Sequence, residues 1–419
     1  MNIINELQWR GAINQQTDEI GLRQLVEEKS ISLYCGVDPT GDSMHIGHLI
    51  PFIMLKRFQM AGHRPVILIG GATGTIGDPS GRQTERSLQT MDQVEENVRA
   101  LTEQMKKLFI TDGDNQIRMV NNNDWMKNIT IIDFLRDYGK NFSINTMLAK
   151  DIVSSRLDSG ISFTEFAYQI LQSADYLHLY RHEDVQLQIG GSDQWGNITS
   201  GLDLIRKKEG SEAKAFGLTI PLMLKADGTK FGKTAGGAIW LDPKKTTPYE
   251  FYQFWANADD RDVIRYLKYF TFLSQEEIEQ LEEKVKTEPH KREAQMKLAE
   301  EMTLFVHGPA LLEQAQRITR ALFSGDIKAL TVEEIEQGFK EMPTFTASAQ
   351  QQNIIDWLVE VGIEPSKRQA REDVKGGAIS INGDRITDVD FEVTNELAIG
   401  SKYIIVRKGK KNYSLVHLQ

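Results

Sequence analysis

Cysteine is almost missing from this 419-residue chain. The single thiol, Cys35, excludes an intramolecular disulfide framework and leaves any structural zinc site to scattered histidines, so neither staple is expected. Long apolar runs are missing too. Stretches such as Val66–Ile69 stop far short of the roughly 20 residues that a membrane-spanning helix needs. The first residues lack the basic-then-apolar pattern of a signal segment, which gives the expectation of a cytoplasmic protein. Glycine and proline, 33 and 11 residues, are too few for a collagen-like or low-complexity chain. Positive charge is also in deficit, with 49 Lys and Arg against 59 Asp and Glu, so this is not a basic protein that coats nucleic acid. The deficit is uneven. From Ser366 onward basic residues outnumber acidic ones, which marks a separate module with an anionic partner.

What is present is the composition of a folded protein, 40% apolar and 26% charged, long enough for about three domains at roughly 150 residues each. The first half alternates strand and helix patterns. Ile31–Val37, Val66–Ile69 and Val185–Ile189 read as strands. Ser43–Met60, Phe163–Tyr180 and Gln194–Lys208 read as helices, the first of them capped by Asp42 or Ser43. That order predicts an α/β domain built on a parallel sheet. From Tyr249 to Phe323 the pattern is helical, and polar Thr344–Gln352 reads as a linker before a small α+β module. The expected boundaries are 1–245, 246–342, 343–352 and 353–419.

The most informative string is Cys35–Leu49, in which a strand ends in a turn and a helix opens on His45-Ile46-Gly47-His48. Two histidines three apart share a helix face, near an N-terminus whose N–H groups and dipole favour an anion. Gly47 between them costs helix propensity, which points to a flat group approaching the backbone. Lys230-Phe231-Gly232-Lys233-Thr234 offers two ammonium groups and a hydroxyl on a Gly-rich loop, suited to the charge of a departing polyphosphate. Gly70–Gly81 contains neither a Walker A string nor GxGxxG, so ATPase and dehydrogenase readings lose their warrant. On the Phe163–Tyr180 helix, Phe163, Ala167, Ile170, Ala174 and Leu177 form a core stripe, and Tyr168, Gln172 and Asp175 form a polar stripe beside it. Alternation puts Tyr34, Gly36 and Asp38 on one face of the first strand and Cys35 on the other. Gly190 and Gly191 allow a close approach to the chain before Asp193 and Gln194. In the tail, Arg368, Arg371 and Lys375 make one basic helical face able to follow a phosphate backbone. Pro51 falls inside the helix after His48 and should delete its hydrogen bond to the Gly47 carbonyl.

HIGH followed by a KMSKS-like loop is the paired signature of class I aminoacyl-tRNA synthetases. With CGVDPT, GDPSG, GGSDQWGN and TPYEFYQFW in order, the chain resembles bacterial tyrosyl-tRNA synthetases over nearly its whole length. The resemblance implies a Rossmann-like catalytic domain, a helical domain and an S4-like RNA-binding domain. It implies ATP with Mg2+ as substrate and no tightly bound cofactor, tyrosine and tRNA(Tyr) as partners, a homodimer, and no DNA or membrane partner. It carries tyrosine binding onto Tyr34, Asp78, Tyr168, Gln172, Asp175 and Gln194. ATP binding falls on Cys35, Gly36, Asp38, Gly47, His48, Gly191, Asp193 and Lys233. The pyrophosphate side of the reaction falls on Thr40, His45, Lys230, Lys233, Thr234, Arg82 and Arg86, and tRNA on Arg368, Arg371 and Lys375. Pro51 departs from the polar residue that some members carry near the ribose, so no ribose contact is expected there. GISFTEF, Gly160–Phe166, matches a segment near the family's dimer interface. Another HIGH-type nucleotidyltransferase and a non-catalytic RNA-binding protein are the alternative readings.

Overall fold

The computed structural model describes residues 2–80, 89–158, 160–229, 231–234, 237–348, 350–409 and 412–419, with Lys233 and Thr234 as backbone alone. Its first half forms a six-stranded sheet of β1 (Gln15–Gln16), β2 (Ser32–Val37), β3 (Arg64–Ile69), β4 (Arg118–Asn121), β5 (Val185–Gly191) and β6 (Phe216–Ile220). The spatial order is β1-β6-β5-β2-β3-β4. β2 to β6 are mutually parallel and β1 pairs antiparallel at the edge. β3 and β5 are buried along nearly their full length, as strands covered on both faces must be, which shows in β3 as a continuous apolar run while β5 buries Gln186 and Gln188 as well.

From β2 the chain crosses over through the Ile46–Met60 helix to β3, goes on to β4, and then returns to set β5 on the other side of β2. Where the order reverses, the carboxyl ends of β2 and β5 diverge and leave a crevice. Tyr34 and Gln188 are register partners across it. The Phe163–His182 helix covers this region, packing Tyr176, Leu177 and Leu179 against Tyr34, Val66 and Val185. The Tyr176 hydroxyl donates to the carbonyls of Gln186 and Phe216, at 3.1 and 2.7 Å, and locks helix to sheet. At the helix's first turn Arg156 donates two bonds to the Glu165 carboxylate, at 3.0 and 2.9 Å, a fork geometry that satisfies both buried charges.

The parallel sheet follows the sequence expectation; the helical domain does not form one body. The chain divides into two compact units, Met1–Lys245 with Ala256–Met302, and Thr246–Trp255 with Thr303–Gln419. The physical reason lies in what each helix buries. Arg10 and Arg57 donate to the carbonyls of Lys268, Tyr269 and Leu273, which ties the Asp260–Phe270 helix to the first unit. Phe251 packs edge-on against His307 and Gln253 donates to Thr319, so Pro248–Ala256 belongs largely with the second. The expected linker is corrected as well. Thr344–Ala347 is a strand, parallel to Asn412–Leu418 at the edge of a five-stranded sheet. Its outward threonines give it a polar look, while Ala347 is buried and Phe345 packs beside it. The second unit also has a core in which Ile318, Ile335 and Phe339 pack on Tyr403, Ile405, Tyr413 and Leu415. Among the described residues no helix is long and apolar enough to cross a membrane.

Because that core joins residues from both sides of Gln350, truncation there should leave Ile318, Ile335 and Phe339 uncovered. The shortened chain should bind a hydrophobic dye and be cut rapidly by protease within 309–342. Protection there equal to that of the full chain would show that the core does not need its C-terminal half.

Candidate active site

The Ile46–Met60 helix begins three residues later than the sequence reading placed it, and its cap is His45 rather than Asp42 or Ser43. His45 Nδ1 accepts the Gly47 N–H at 3.1 Å and His48 Nδ1 faces the His45 N–H at 3.5 Å, a capping box made of two imidazoles. The rings stack with centroids 3.8 Å apart. Since each Nδ1 accepts, the neutral rings carry their protons on Nε2 and each offers an N–H donor. Gly47 acquires a different reason from the one expected. A Cβ at position 47 would lie 2.9 Å from His45 Cε1, so the flat group that needs the glycine is the protein's own imidazole. The helix runs through Pro51 to Met60.

The Gly-rich loop reaches the same point. Phe231 is buried between Phe270 and Tyr266, with ring centroids at 5.0 and 5.1 Å, and anchors the loop. Gly232, at φ +83°, comes so close that a Cβ would be 3.2 Å from Ile46 Cγ1 and 3.5 Å from the Gly47 nitrogen. Lys233–Thr234 pairs with Gly237–Ala238 as a short hairpin. Beyond it the chain pairs with the segment before the helix: Ile46 N–H donates to Ile239 O at 3.0 Å and Leu241 N–H to Met44 O at 2.8 Å. The two motifs are therefore joined through their backbones. Lys230, Arg82 and Arg86 lie outside the described residues.

Between the carboxyl ends of β2 and β5 lies a cleft of about 310 Å³. Tyr34, Cys35, Gly36, Asp38, Thr40, Gly47, His48, Asp78, Tyr168, Gln172, Asp175, Gly191, Asp193 and Gln194 all line it. His45 is not a lining residue; it acts on His48 and the helix start. Cys35 reaches the cleft despite its alternation because the cavity wraps over the strand end, and burial pushes its thiol up to about 12. Gly191 makes room for the turn itself, since a Cβ there would meet Asp193 Oδ1 at 2.5 Å.

A chain of hydrogen bonds runs through the cleft wall. The Tyr168 hydroxyl donates to Asp38 Oδ2 at 2.9 Å and Thr73 Oγ1 to Asp38 Oδ1 at 2.8 Å. Asn122 Nδ2 donates both to Thr73 Oγ1 and to Asp175 Oδ2, each at 3.0 Å, and Trp125 Nε1 donates to Asp175 Oδ1 at 2.9 Å. Asp38, an expected ATP contact, lines the cleft and is held in this wall by Tyr168 and Thr73. Gln194 Nε2 donates to Asp78 at 2.7 Å and to Asp193 at 3.0 Å, and Asp78 also accepts Ser80 N–H in the Asp-Pro turn. The Tyr34 hydroxyl, which lines the cleft, is buried and makes no hydrogen bond. Asp175 lies close enough to push this phenol further up. The orphaned Gln188 Oε1 on β5 is buried beside it.

Sequence reasoning missed Thr73, Asn122, Trp125, Gln188 and Phe231. Gln188 carried a signal, a glutamine inside an apolar strand run; Asn122 and Trp125 follow a strand too short to be read, and nothing local marks them.

In the second unit the Lys367–Lys375 helix is capped by Ser366, and Arg368, Arg371 and Lys375 are exposed, with Arg368 paired to Glu372 at 3.3 Å. Gly376-Gly377 then leads to the strand Ile379–Ile381 and an Asn382-Gly383 turn into Asp384–Ile386, the two-residue hairpin that an Asn-Gly pair favours.

Burial pushes the Asp175 carboxyl up to about 8, against the donors Asn122 and Trp125, which pull it down. The folded chain therefore holds this proton more tightly than the unfolded chain, whose carboxyl titrates near 3.8. The associated stability is complete below the lower value and is lost as pH rises toward 8. Asp175→Asn removes the titration, so urea unfolding at pH 5 and pH 8 should show the wild type losing ground to the variant at the higher pH. A difference independent of pH would exclude Asp175 as the group responsible.

Residues 26–324 match the family described as "tRNA synthetases class I (W and Y)", and residues 334–416 match a "Tyrosine--tRNA ligase SYY-like C-terminal domain". The chain is 74% identical over 418 residues to tyrosine–tRNA ligase 2 of Bacillus cereus (strain ZK / E33L), covering 100% of each. It is 71% identical over 415 residues to tyrosine–tRNA ligase 1 of Enterococcus faecalis (strain TX4000 / JH2-2), covering 99% of each. Among solved structures it resembles a C-terminally truncated mitochondrial tyrosyl-tRNA synthetase of Aspergillus nidulans, with TM-score 0.69 and 33% identity over 77% of this chain and 94% of that one. With the switch-point cleft, the joined HIGH and KFGKT segments and these likenesses in agreement, the chain belongs to the class I tRNA synthetases of the tryptophan and tyrosine branch.

Proposed function

We propose that this chain is a tyrosine–tRNA ligase, which activates tyrosine with ATP and transfers it to the 3′ end of tRNA(Tyr). The observation that carries the reading is the unsatisfied Tyr34 hydroxyl beside Asp175 in a cleft whose wall also holds Asp38, Asp78 and Tyr168. Such a site needs a ligand with a hydroxyl at one end and a cation at the other, separated by an apolar ring. Tyrosine meets that description. Its phenol faces Tyr34 and Asp175, and its ammonium faces Asp78, Tyr168 and Gln172.

In the first step the tyrosine carboxylate, already ionised at neutral pH, attacks the α-phosphorus of ATP in line, and the bond to pyrophosphate breaks. No general base is required, so positioning and charge stabilisation carry the step. His48, Gly47, Gly191, Asp193 and Cys35 are the residues assigned to the nucleoside. Thr40, Lys230, Lys233, Thr234, Arg82 and Arg86 are those assigned to the polyphosphate. His45 contributes by holding His48. Magnesium enters with ATP as its counter-ion. In the second step a ribose hydroxyl at the tRNA terminus attacks the acyl carbon and AMP leaves. Arg368, Arg371 and Lys375 supply a basic face for the tRNA backbone. Phe163, expected in the core stripe, is exposed instead, and with exposed Ile131, Ile132 and Ile144 it supports a homodimer that covers them, as does the GISFTEF match.

Tyrosine-dependent exchange of pyrophosphate into ATP tests the activity directly. Its absence, or equal exchange with any amino acid, would overturn the reading. Within the pocket, Tyr34→Phe should lower the ratio of kcat/KM for tyrosine over phenylalanine by about tenfold, the worth of roughly one hydrogen bond. Asp175→Ala should cost more, because it strands Asn122 and Trp125. An unchanged ratio in Tyr34→Phe would remove that residue from substrate selection. Phe231→Ala, which frees the loop from its anchor, should lower kcat for exchange by about 10-fold with the tyrosine KM unchanged, the expected consequence of misplacing a preorganised partner. A change in KM alone would mean that the anchor shapes ground-state binding.

A further inference from the structure

The helix that carries Asp175 continues through His178 and His182, which places three titratable side chains on one face at i, i+3 and i+7. Trp125 lies along that face. Its Nε1 donates to Asp175 Oδ1 at 2.9 Å, and its ring lies flat on the His178 imidazole, with centroids 4.2 Å apart and planes inclined by 12°. His178 in turn meets His182 with centroids 4.4 Å apart. Neither Trp125 nor His178 lines the cleft; both line a separate hollow of about 410 Å³ with Arg118, Asn121, Asp124 and Glu183.

The indole needs outside support. It stands on the four-residue helix Asn123–Met126, which buries none of its residues, and so short a helix has little rigidity of its own. One side of the ring packs on the cluster around Tyr34 and Leu177, and its orientation is set by two directional contacts, the N–H on Asp175 and the stacked imidazole. We propose that His178 is a positioning residue for substrate selection: packed flat on Trp125, it keeps the indole N–H on Asp175 Oδ1 and so holds the carboxyl where the substrate's phenol meets it. The proposal rests on the reading of Asp175 as the phenol's partner.

The surroundings define what kind of contact this is. The charged groups around His178 are Arg181 and His182 on its own helix and Glu183 at its C-cap, with Arg118 on β4 and Asp124 after it. Glu183 is held by Arg118, whose Nη2 donates to it at 2.6 Å. Burial and His182 both push the His178 imidazole down, so at neutral pH the stack is of one uncharged ring on another. A phenyl ring can therefore stand in for it and a methyl group cannot, which makes His178→Phe the conservative variant and His178→Ala the disruptive one. His178 is only half-buried, so both should fold.

The test reads the full-length enzyme twice, by tyrosine-dependent pyrophosphate exchange and by the indole N–H resonance of Trp125 in 15N-tryptophan-labelled protein, assigned by its loss in Trp125→Phe. In His178→Ala the tyrosine KM should rise and the tyrosine-over-phenylalanine ratio of kcat/KM should fall, each by about 3–10-fold, the scale of weakening one hydrogen bond, with kcat held within about twofold. The indole resonance should move toward that of a water-exposed indole. His178→Phe should keep both readouts near wild type. An unmoved resonance in His178→Ala overturns the clamp. Equal losses for tyrosine and phenylalanine in both variants also overturn it, as a purely structural effect. A moved resonance with an unchanged ratio overturns the selection role; if Trp125→Phe and Asp175→Asn leave the ratio unchanged as well, the fault lies in the reading of Asp175.

Discussion

A buried carboxyl must be given donors or remain protonated, and the requirement at Asp175 organises one end of the catalytic unit. The donors come from Asn122 and Trp125, just after β4, although the acceptor sits on a helix some fifty residues later. Asn122 also reaches Thr73, and Thr73 reaches Asp38, so four segments are held by one continuous set of hydrogen bonds. Beside this set the Tyr34 hydroxyl and the Gln188 carbonyl oxygen are buried without a partner. Unpaired groups next to a paired network are placed to receive a polar group there.

The opposite wall works through backbone rather than side chains. His45 accepts the second N–H of the Ile46–Met60 helix, that of Gly47, and the strand-like pairing of Met44–Ile46 with Ile239–Leu241 takes the first and fixes the direction from which the Gly-rich loop arrives. Gly232, with no Cβ and φ +83°, can then lie against Ile46 and the Gly47 nitrogen. The helix start is accordingly not a bare anion site. It is a scaffold that presents His48, braced by His45, to the cleft.

The division into two units has a similar origin. Two buried arginines, Arg10 and Arg57, claim the end of the Asp260–Phe270 helix by supplying donors to its terminal carbonyls. The helices Pro309–Ser324 and Val332–Gly338 instead bury their apolar faces against a sheet that includes Asn412–Leu418. A run of helices adjacent in sequence thus divides according to which surface each one has to cover.

The sequence by itself determined the parallel α/β class, the long helices, the Asn-Gly hairpin of the tail and most of the residues that line the cleft. Those features depend on short-range periodicity, turn chemistry and contiguous strings such as HIGH and GGSDQWGN, all of which can be read within a dozen residues. Only the tertiary structure decided that His45 caps rather than lines, that Asp38 belongs to the wall of Tyr168, that Thr344–Ala347 is a strand, and that Asn122, Trp125 and Gln188 belong to the site. Apart from the His45 cap, which is made with Gly47 and His48, each of these depends on a partner at least 50 residues away. Strand pairing and the filling of a buried carboxyl's valences are settled by what happens to lie opposite, and local pattern carries no record of that.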